Sequence, residues 1–318
     1  MSSSTRMEPR LPPDLERDIF ELDALENRRS VPRLLRVARR VKLWIEPLLY
    51  RVVFLSEGKA YPHGKVESDS ENIVFTPLIM AAAIEQHPAW FFHTHARHLY
   101  IDCGAYSDPP TSIRFMDRDP MTPGERPGTP QERASMLAAC TGVINVMLLN
   151  ILEPQTLLPA LSRMPLQQLQ ANLGSLFGDG ADPAPVDFTV PLFANITHLA
   201  VFDDVTLRVT DWAQGLALLP RLTHVSFDFN GERRVPTPRP LFEAVLVHCT
   251  SLYVLVVLLT PDSGREALGL LVQHPRVAIL DDHKTYDGGY DWYLGAHSRG
   301  DYWQRAETVI TERRLTRA

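Results

Sequence analysis

The sequence predicts an α/β fold: a short N-terminal helical module, then an irregular array of alternating helices and strands forming a parallel sheet, then a C-terminal capping helix. Three observations predict it. Apolar residues between Leu11 and Tyr50 recur at helical spacing. Six strand-length segments between Val143 and Leu280 share one apolar frame. Most of them follow an apolar helical stretch that stops at Pro or at a small-residue turn.

Bulk properties bound the class before any element is placed. The chain has 318 residues, 45% of them hydrophobic and 22% charged, which suits a folded globular protein. A net charge of −6 argues against non-specific nucleic-acid binding, which needs a basic surface to displace counterions from phosphates. Cys103, Cys140 and Cys249 are odd in number and far apart, so neither a disulfide framework nor a CxxC metal site is indicated. They suit a reducing compartment, and a cytoplasmic or nuclear location is expected. Residues 1–10 are Ser-rich and charged, with no apolar core for a secretory signal, and are expected to be a disordered tail. The longest apolar runs, such as Val254 to Leu259, have strand length and cannot span a bilayer.

Residues 11–50 form the helical module. Leu15, Ile19 and Leu22 fall on one helical face, with Asp14 after two prolines as the expected N-cap. Pro32 opens a second helix with Leu34, Leu35, Val37 and Ala38. A third carries Val41, Trp44 and Ile45, and Pro47 is expected to end or kink it. Arg28, Arg29, Arg33, Arg36, Arg39, Arg40 and Lys42 make the region locally basic, either as a solvated helical face or as a phosphate-binding patch.

The array occupies residues 51–281. Its strands are Val143-Ile-Asn-Val146-Met-Leu148, Leu166-Gln-Gln-Leu169-Gln-Ala171, Ile196-Thr-His-Leu199-Ala-Val201, Leu222-Thr-His-Val225-Ser-Phe227, Leu252-Tyr-Val-Leu255-Val-Val257 and a truncated Val277-Ala-Ile-Leu280. The central positions 146, 169, 199, 225, 255 and 280 are spaced by 23, 30, 26, 30 and 25 residues. Arg97-His-Leu99-Tyr-Ile101 is a less regular earlier member. Leu157 to Leu161, Trp212 to Leu219, Leu241 to Val247 and Leu268 to Val272 are the helical partners. This unit resembles the helix-strand unit of leucine-rich repeats in degenerate form, and implies a solenoid in which stacking neighbours builds one continuous core. A doubly wound α/β domain also alternates strands with helices and is the rival arrangement. Loops 104–132, 178–191 and 230–240 interrupt the array. Residues 282–318 form the cap, with Trp292, Tyr302 and Trp303 as its buried face.

Catalytic motifs are weak. His93-Thr-His95, with His87 and His98 nearby, could chelate a divalent ion if it lay on a strand, as in metal-dependent hydrolases. His98, however, shares a repeat phase with His198 and His224, each just before a core aliphatic, and strand alternation then points all three onto the outer sheet face. Gly58 to Lys65 has one residue too many for a P-loop, and Val66 stands where Ser or Thr must meet magnesium. Asp281 to Asp291 lacks calcium-loop spacing. No catalytic, cofactor or metal residue is assigned, and the chain is expected not to be an enzyme.

Recognition is the remaining reading. His98, Tyr100, Met147, His198, Phe202, His224, Val254 and Val256 would line a partner-binding sheet face, unless the loops or the tail cover it. The stretch Leu-Pro-Pro-Asp-Leu-Glu-Arg-Asp-Ile-Phe from Leu11 to Phe20, followed by Leu35, Val37 and Trp44, resembles a divergent F-box over about forty residues, as in fungal F-box-like proteins with a Tyr-Trp-rich ending. The resemblance implies adaptor docking through Leu11, Pro12, Leu15, Ile19, Phe20, Val37 and Trp44. The partner would be the Skp-type adaptor of a cullin ubiquitin ligase, and the array would hold an unknown protein target, with no nucleic acid or membrane involved. Two alternatives stay open: a stand-alone scaffold whose N-terminal helices only cap the solenoid, and a hydrolase built on His93 and His95.

Overall fold

The computed structural model describes residues 11–56, 74–102, 129–151, 153–178, 184–203, 209–229, 239–259, 268, 271, 273–281 and 288–317. The expected tail 1–10, the segment 58–65 and Cys103 lie outside the described residues.

The N-terminal module holds α1 (Pro13–Glu26), a 3-10 turn at Arg28–Ser30, α2 (Val31–Leu34) and α3 (Arg39–Leu49). Pro12, not Asp14, is the N-cap of α1, because Pro13 already has the backbone angle of a first helical residue and no N–H to satisfy. Asp14 and Glu16 sit in the first turn, where the exposed N–H groups favour acids. The expected second helix is a single turn. Pro47 lies inside α3, which ends two residues later at Leu49. Ala24, Val31, Val41 and Ile45 form the module's own core, with Phe20, Leu34, Leu35 and Trp44 packed against them. Arg40 grips Glu16 with two hydrogen bonds of 2.6 and 3.1 Å, tying α3 to α1.

The remaining elements are β1 (Val52–Ser56), β2 (Val74–Phe75), α4 (Pro77–Gln86), α5 (Trp90–His95), β3 (His98–Asp102), α6 (Pro130–Ala139), β4 (Asn145–Leu149), α7 (Leu158–Leu161), β5 (Gln168–Ala171) and α8 (Leu173–Phe177). They continue with β6 (His198–Val201), α9 (Val209–Ala217), β7 (His224–Phe229), α10 (Arg239–His248), β8 (Val254–Leu259), β9 (Val277–Asp281), α11 (Gly288–Ala296) and α12 (Tyr302–Arg317). All nine strands join one parallel sheet in the order β2-β1-β3-β4-β5-β6-β7-β8-β9. Apart from the two-residue β2, neighbours in space follow neighbours in sequence. A doubly wound sheet reverses its strand order partway, so this sequential order departs from that rival.

Register follows the apolar frame. Leu99, Val146, Leu169, Leu199, Val225 and Leu255 lie side by side across six strands. Together with the second aliphatic of each strand they face one core, shared with Met80 and Phe92 of the early helices and Leu137, Leu216, Leu241 and Leu246 of the later ones. The last strand differs from expectation. Val277, not Leu280, is the partner of Leu255, because alternation along a strand puts Val277 and Ile279 in the core and leaves Leu280 on the other side.

Insert boundaries also sharpen. Thr129 and Glu132 form a reciprocal capping box for α6, with bonds of 2.8 and 3.2 Å, so the helix starts within the expected loop 104–132. Residue Arg239 already belongs to α10, within the expected loop 230–240. The 178–191 stretch ends in a 3-10 turn, Pro191–Phe193, that buries Leu192 and Phe193.

The tail does more than close one end. α11 lays Trp292, Tyr293 and Ala296 on Val52, Phe54, Tyr100 and Met147. α12 lays Tyr302, Trp303, Ala306 and Ile310 on Ala200, Val254, Val256, Leu258 and Ala278. The sheet is thus apolar on both faces, with the array helices on one and the two C-terminal helices on the other. Between α11 and α12 the chain reverses through Ser298 and Gly300, both at positive φ, a conformation glycine adopts at no steric cost. The two helices meet so closely that a Cβ on Gly295 would fall 2.4 Å from Asp301 Oδ2.

Candidate functional site

Two surfaces carry the residues singled out by sequence, and the structure treats them oppositely. On the module, Leu15, Ile19 and Leu22 follow one another at i, i+4 and i+7 of α1, with Leu11 just before the helix. They are 51%, 55%, 56% and 46% exposed respectively, a row of large apolar side chains turned to solvent. Pro12 is exposed beside them, and Val37, in the turn before α3, is 59% exposed. Phe20 and Trp44 point the other way, into the module core. Leu43, 65% exposed on α3, belongs to the same outward-facing apolar set and was not among the expected docking residues. Its signal was available, since Leu43 falls between the inward-facing Val41 and Ile45.

The α1 row is bordered by the exposed carboxylates Asp14 and Asp18, and by the Arg17–Glu21 pair at 2.6 Å, which raises the Arg17 pKa. Arg33, Arg36, Arg39 and Lys42 are exposed on α2, α3 and the turn between them. The module is therefore acidic along one helix and basic along the next.

The sheet face expected to receive a partner is not an open surface. Tyr100, Met147, Val254 and Val256 are each 1% exposed or less, and His98, His198, Phe202 and His224 are at most partly exposed beside them. The reason is the tail: Trp292 and Trp303 seat on this face and supply the apolar contact that a partner would have supplied. His98, Asn145, Gln168, His198 and His224 do share one repeat phase, as successive partners across β3 to β7. That polar row is roofed by the two tryptophans. Trp292 Nε1 donates to Asn145 Oδ1 at 2.9 Å, and the Trp303 ring meets His198 and His224 edge-on. His198 and His224 stack at 4.1 Å with their planes 8° apart. Glu307 of α12 reaches His224 Nε2 at 3.0 Å, and Ser226 meets the Tyr302 hydroxyl at 3.0 Å.

Burial governs the charge state of this row. Removing the imidazole from water disfavours the cation, pushing His198 down to about 3, with stacked His224 adding to the effect. His98 falls to about 4 through burial and through Arg51 and Arg97. His224 is also lowered by burial, against the opposing pull of Glu307.

The chemical candidates separate in space. His93 and His95 lie on α5, not on a strand, so two-residue spacing splays them onto different sides of the helix. His93 Nδ1 is engaged with Thr141 Oγ1 at 2.8 Å, and His95 sits edge-on to Trp90 and Phe91. His87 bonds the Ala83 carbonyl at 2.7 Å. Among the described residues no three His, Cys, Asp or Glu side chains are grouped to hold a metal ion. Burial pushes the Cys140 thiol up to about 12 and Cys249 to about 11, which removes the thiolate at neutral pH. Asp291 closes on Arg305 through two bonds of 2.8 and 2.9 Å that brace α11 against α12. No helix among the described residues is long and apolar enough to cross a membrane.

No known family model matches the sequence, and no curated protein matches it.

Proposed function

We propose that the chain is a protein-interaction subunit whose N-terminal module docks an adaptor through the outward row of α1. The carrying observation is that Leu11, Leu15, Ile19 and Leu22 stay exposed in a module that has its own buried core. A helix whose only task was to close the array would turn such a row inward. The F-box-like pattern supports the Skp-type adaptor of a cullin ubiquitin ligase as the partner. In this reading catalysis resides in other subunits, in the cytoplasm or nucleus, and the solenoid-like array contributes by holding a target near them. With the sheet face occupied by α11 and α12, the target meets another surface of the array.

The scaffold alternative predicts Ile19 and Phe20 packed against Val52 and Phe54. Ile19 is instead exposed, and Phe20 lies in the module core. The module is nonetheless fixed to the array: Tyr50 is boxed by Phe75, Phe91 and Phe92, and Glu46 reaches His87 at 3.4 Å. A docked partner would therefore be held at a defined orientation to the array.

The test is a pull-down of purified adaptor by the full chain, comparing wild type with a Leu11→Ala/Pro12→Ala/Ile19→Ala variant. Wild type should retain the adaptor and the variant should lose at least tenfold in affinity, about 1.4 kcal/mol. Absence of adaptor on the wild-type protein would sink the proposal.

A further inference from the structure

Two surfaces of the N-terminal module carry opposite charge, and each also exposes large apolar side chains. On α1, Leu15, Ile19 and Leu22 are more than half exposed, and Asp14 and Asp18, four residues apart, line the adjoining flank of the same helix. Neither aspartate closes an ion pair within the chain, and nearby Arg17 is held by Glu21 at 2.6 Å. On the corner between α2 and α3, Arg33, Arg36 and Arg39 are exposed, with Val37 and Leu43 exposed beside them. Backbone bonds from Arg36 N to Arg33 O and from Val37 N to Leu34 O, at 3.1 and 3.0 Å, extend the turn of α2, so Arg33, Arg36 and Val37 share one side. Extended Ala38 then leads into α3, on which Leu43 lies one turn beyond Arg39.

The next charges along α3 are neutralised within the module: Arg40 pairs with Glu16 and Lys42 with Glu46, at 2.6 and 3.4 Å. Among the described residues Arg33, Arg36 and Arg39 close no ion pair. Each surface is therefore left with charge of one sign beside exposed apolar side chains, acidic on α1 and basic on the corner. The two are complementary in both respects. A nucleic-acid backbone fits the corner less well. Three cations release few counterions, the net charge of −6 repels a polyanion, and Val37 and Leu43 gain no apolar contact from phosphates.

We infer that the module binds a second copy of this chain, the α1 row of one copy lying on the α2–α3 corner of the next. Leu15, Ile19 and Leu22 then cover Val37 and Leu43, while Arg33, Arg36 and Arg39 meet Asp14 and Asp18 in charge-assisted hydrogen bonds. The two patches differ, so the contact is heterologous and passes from copy to copy unless a rotation closes it. Opposite charge orients the encounter, and the apolar contact holds the pair. The contact occupies the row assigned above to an adaptor, so self-association masks docking until the adaptor displaces it. That consequence rests on the docking reading; the contact between copies does not.

The experiment is sedimentation velocity on the purified, nuclease-treated full chain over a wide concentration range, at low and high salt. Mass should rise with concentration, and high salt, which screens exposed charges, should weaken the association. Arg36→Glu/Arg39→Glu makes the corner acidic like the row, and Asp14→Lys/Asp18→Lys makes the row basic like the corner. Each variant alone should lose at least about tenfold in association through like-charge repulsion. Mixed together they should associate again, because each row then faces a corner of opposite charge, a rescue that a misfolded module could not give. Leu43→Ser, at an exposed site, should weaken association without changing charge, and Arg163→Glu/Arg221→Glu, at exposed sites on the array, should leave it intact. A chain that stays monomeric, module variants that associate like wild type, or a mixture of the two charge variants that stays apart would overturn the inference. Adaptor capture is read separately in the pull-down above, so either idea can fail without the other.

Discussion

Mild acid should loosen the protein through its buried histidines. An unfolded histidine titrates near 6.5, whereas burial holds His98 near 4 and His198 near 3 in the fold. Both folded values lie below the unfolded one, so the unfolded chain takes up protons first and stability falls as pH drops below about 6.5. The loss keeps growing until the folded histidines themselves protonate, near pH 4 and pH 3. Between pH 7 and pH 5 each residue removes about 2 kcal/mol, or about 4 kcal/mol for the pair. Against a typical domain stability of about 5–15 kcal/mol, that is a large fraction. His297, lowered for the same reason plus its arginine neighbours, pushes in the same direction. Urea unfolding at pH 7, 6 and 5 would measure it, with the fluorescence of buried Trp292 and Trp303 as the signal. His198→Gln should flatten the pH slope by about 1.4 kcal/mol per unit, one proton's worth. Equal stability at pH 7 and pH 5, or an unchanged slope in the variant, would refute the reasoning.

Three other outcomes are expected. Trp303→Ala, which empties a site 3% exposed between α12 and the sheet, should cost about 3–5 kcal/mol in urea unfolding. Leu15→Ala and Ile19→Ala, at more than half-exposed positions, should change stability by less than about 1 kcal/mol while weakening adaptor capture, which separates a docking role from a packing role. Cys140 and Cys249, with thiols raised by burial, should resist iodoacetamide at pH 7.5 in the native protein and react once it is unfolded, as intact-mass measurement would show.

Much of the sheet was legible because its frame is repeated. Val146, Leu169, Leu199, Val225 and Leu255 were aligned by sequence alone and are lateral neighbours in the sheet. The frame failed at its last member, where four residues cannot fix a phase and Leu280 was paired with the wrong row. Nor was the covering of the second face derived, although the chain carried the sign. Val254–Leu259 is apolar without alternation, the pattern of a strand buried on both sides, and all six residues are buried. Periodicity shows that α12 has an apolar side, with Tyr302, Ala306 and Ile310 four residues apart, but not which surface receives it. Likewise the pattern of α1 located the row of Leu15, Ile19 and Leu22 but not its direction. Only packing shows that the module closes its core with Ala24, Phe20 and Trp44 instead.

The two C-terminal helices also set the order of events during synthesis. A ribosome delivers every strand of the sheet before it delivers the helices that roof one face. Until Gly288–Arg317 has emerged, the nascent sheet presents Tyr100, Met147, Val254 and Val256 to solvent without the two helices that cover them. Residues 288–317 are thus what turns a sticky sheet face into a covered one. A product that stopped before Gly288 would be marked by that bare face, fit for chaperones and proteases to find.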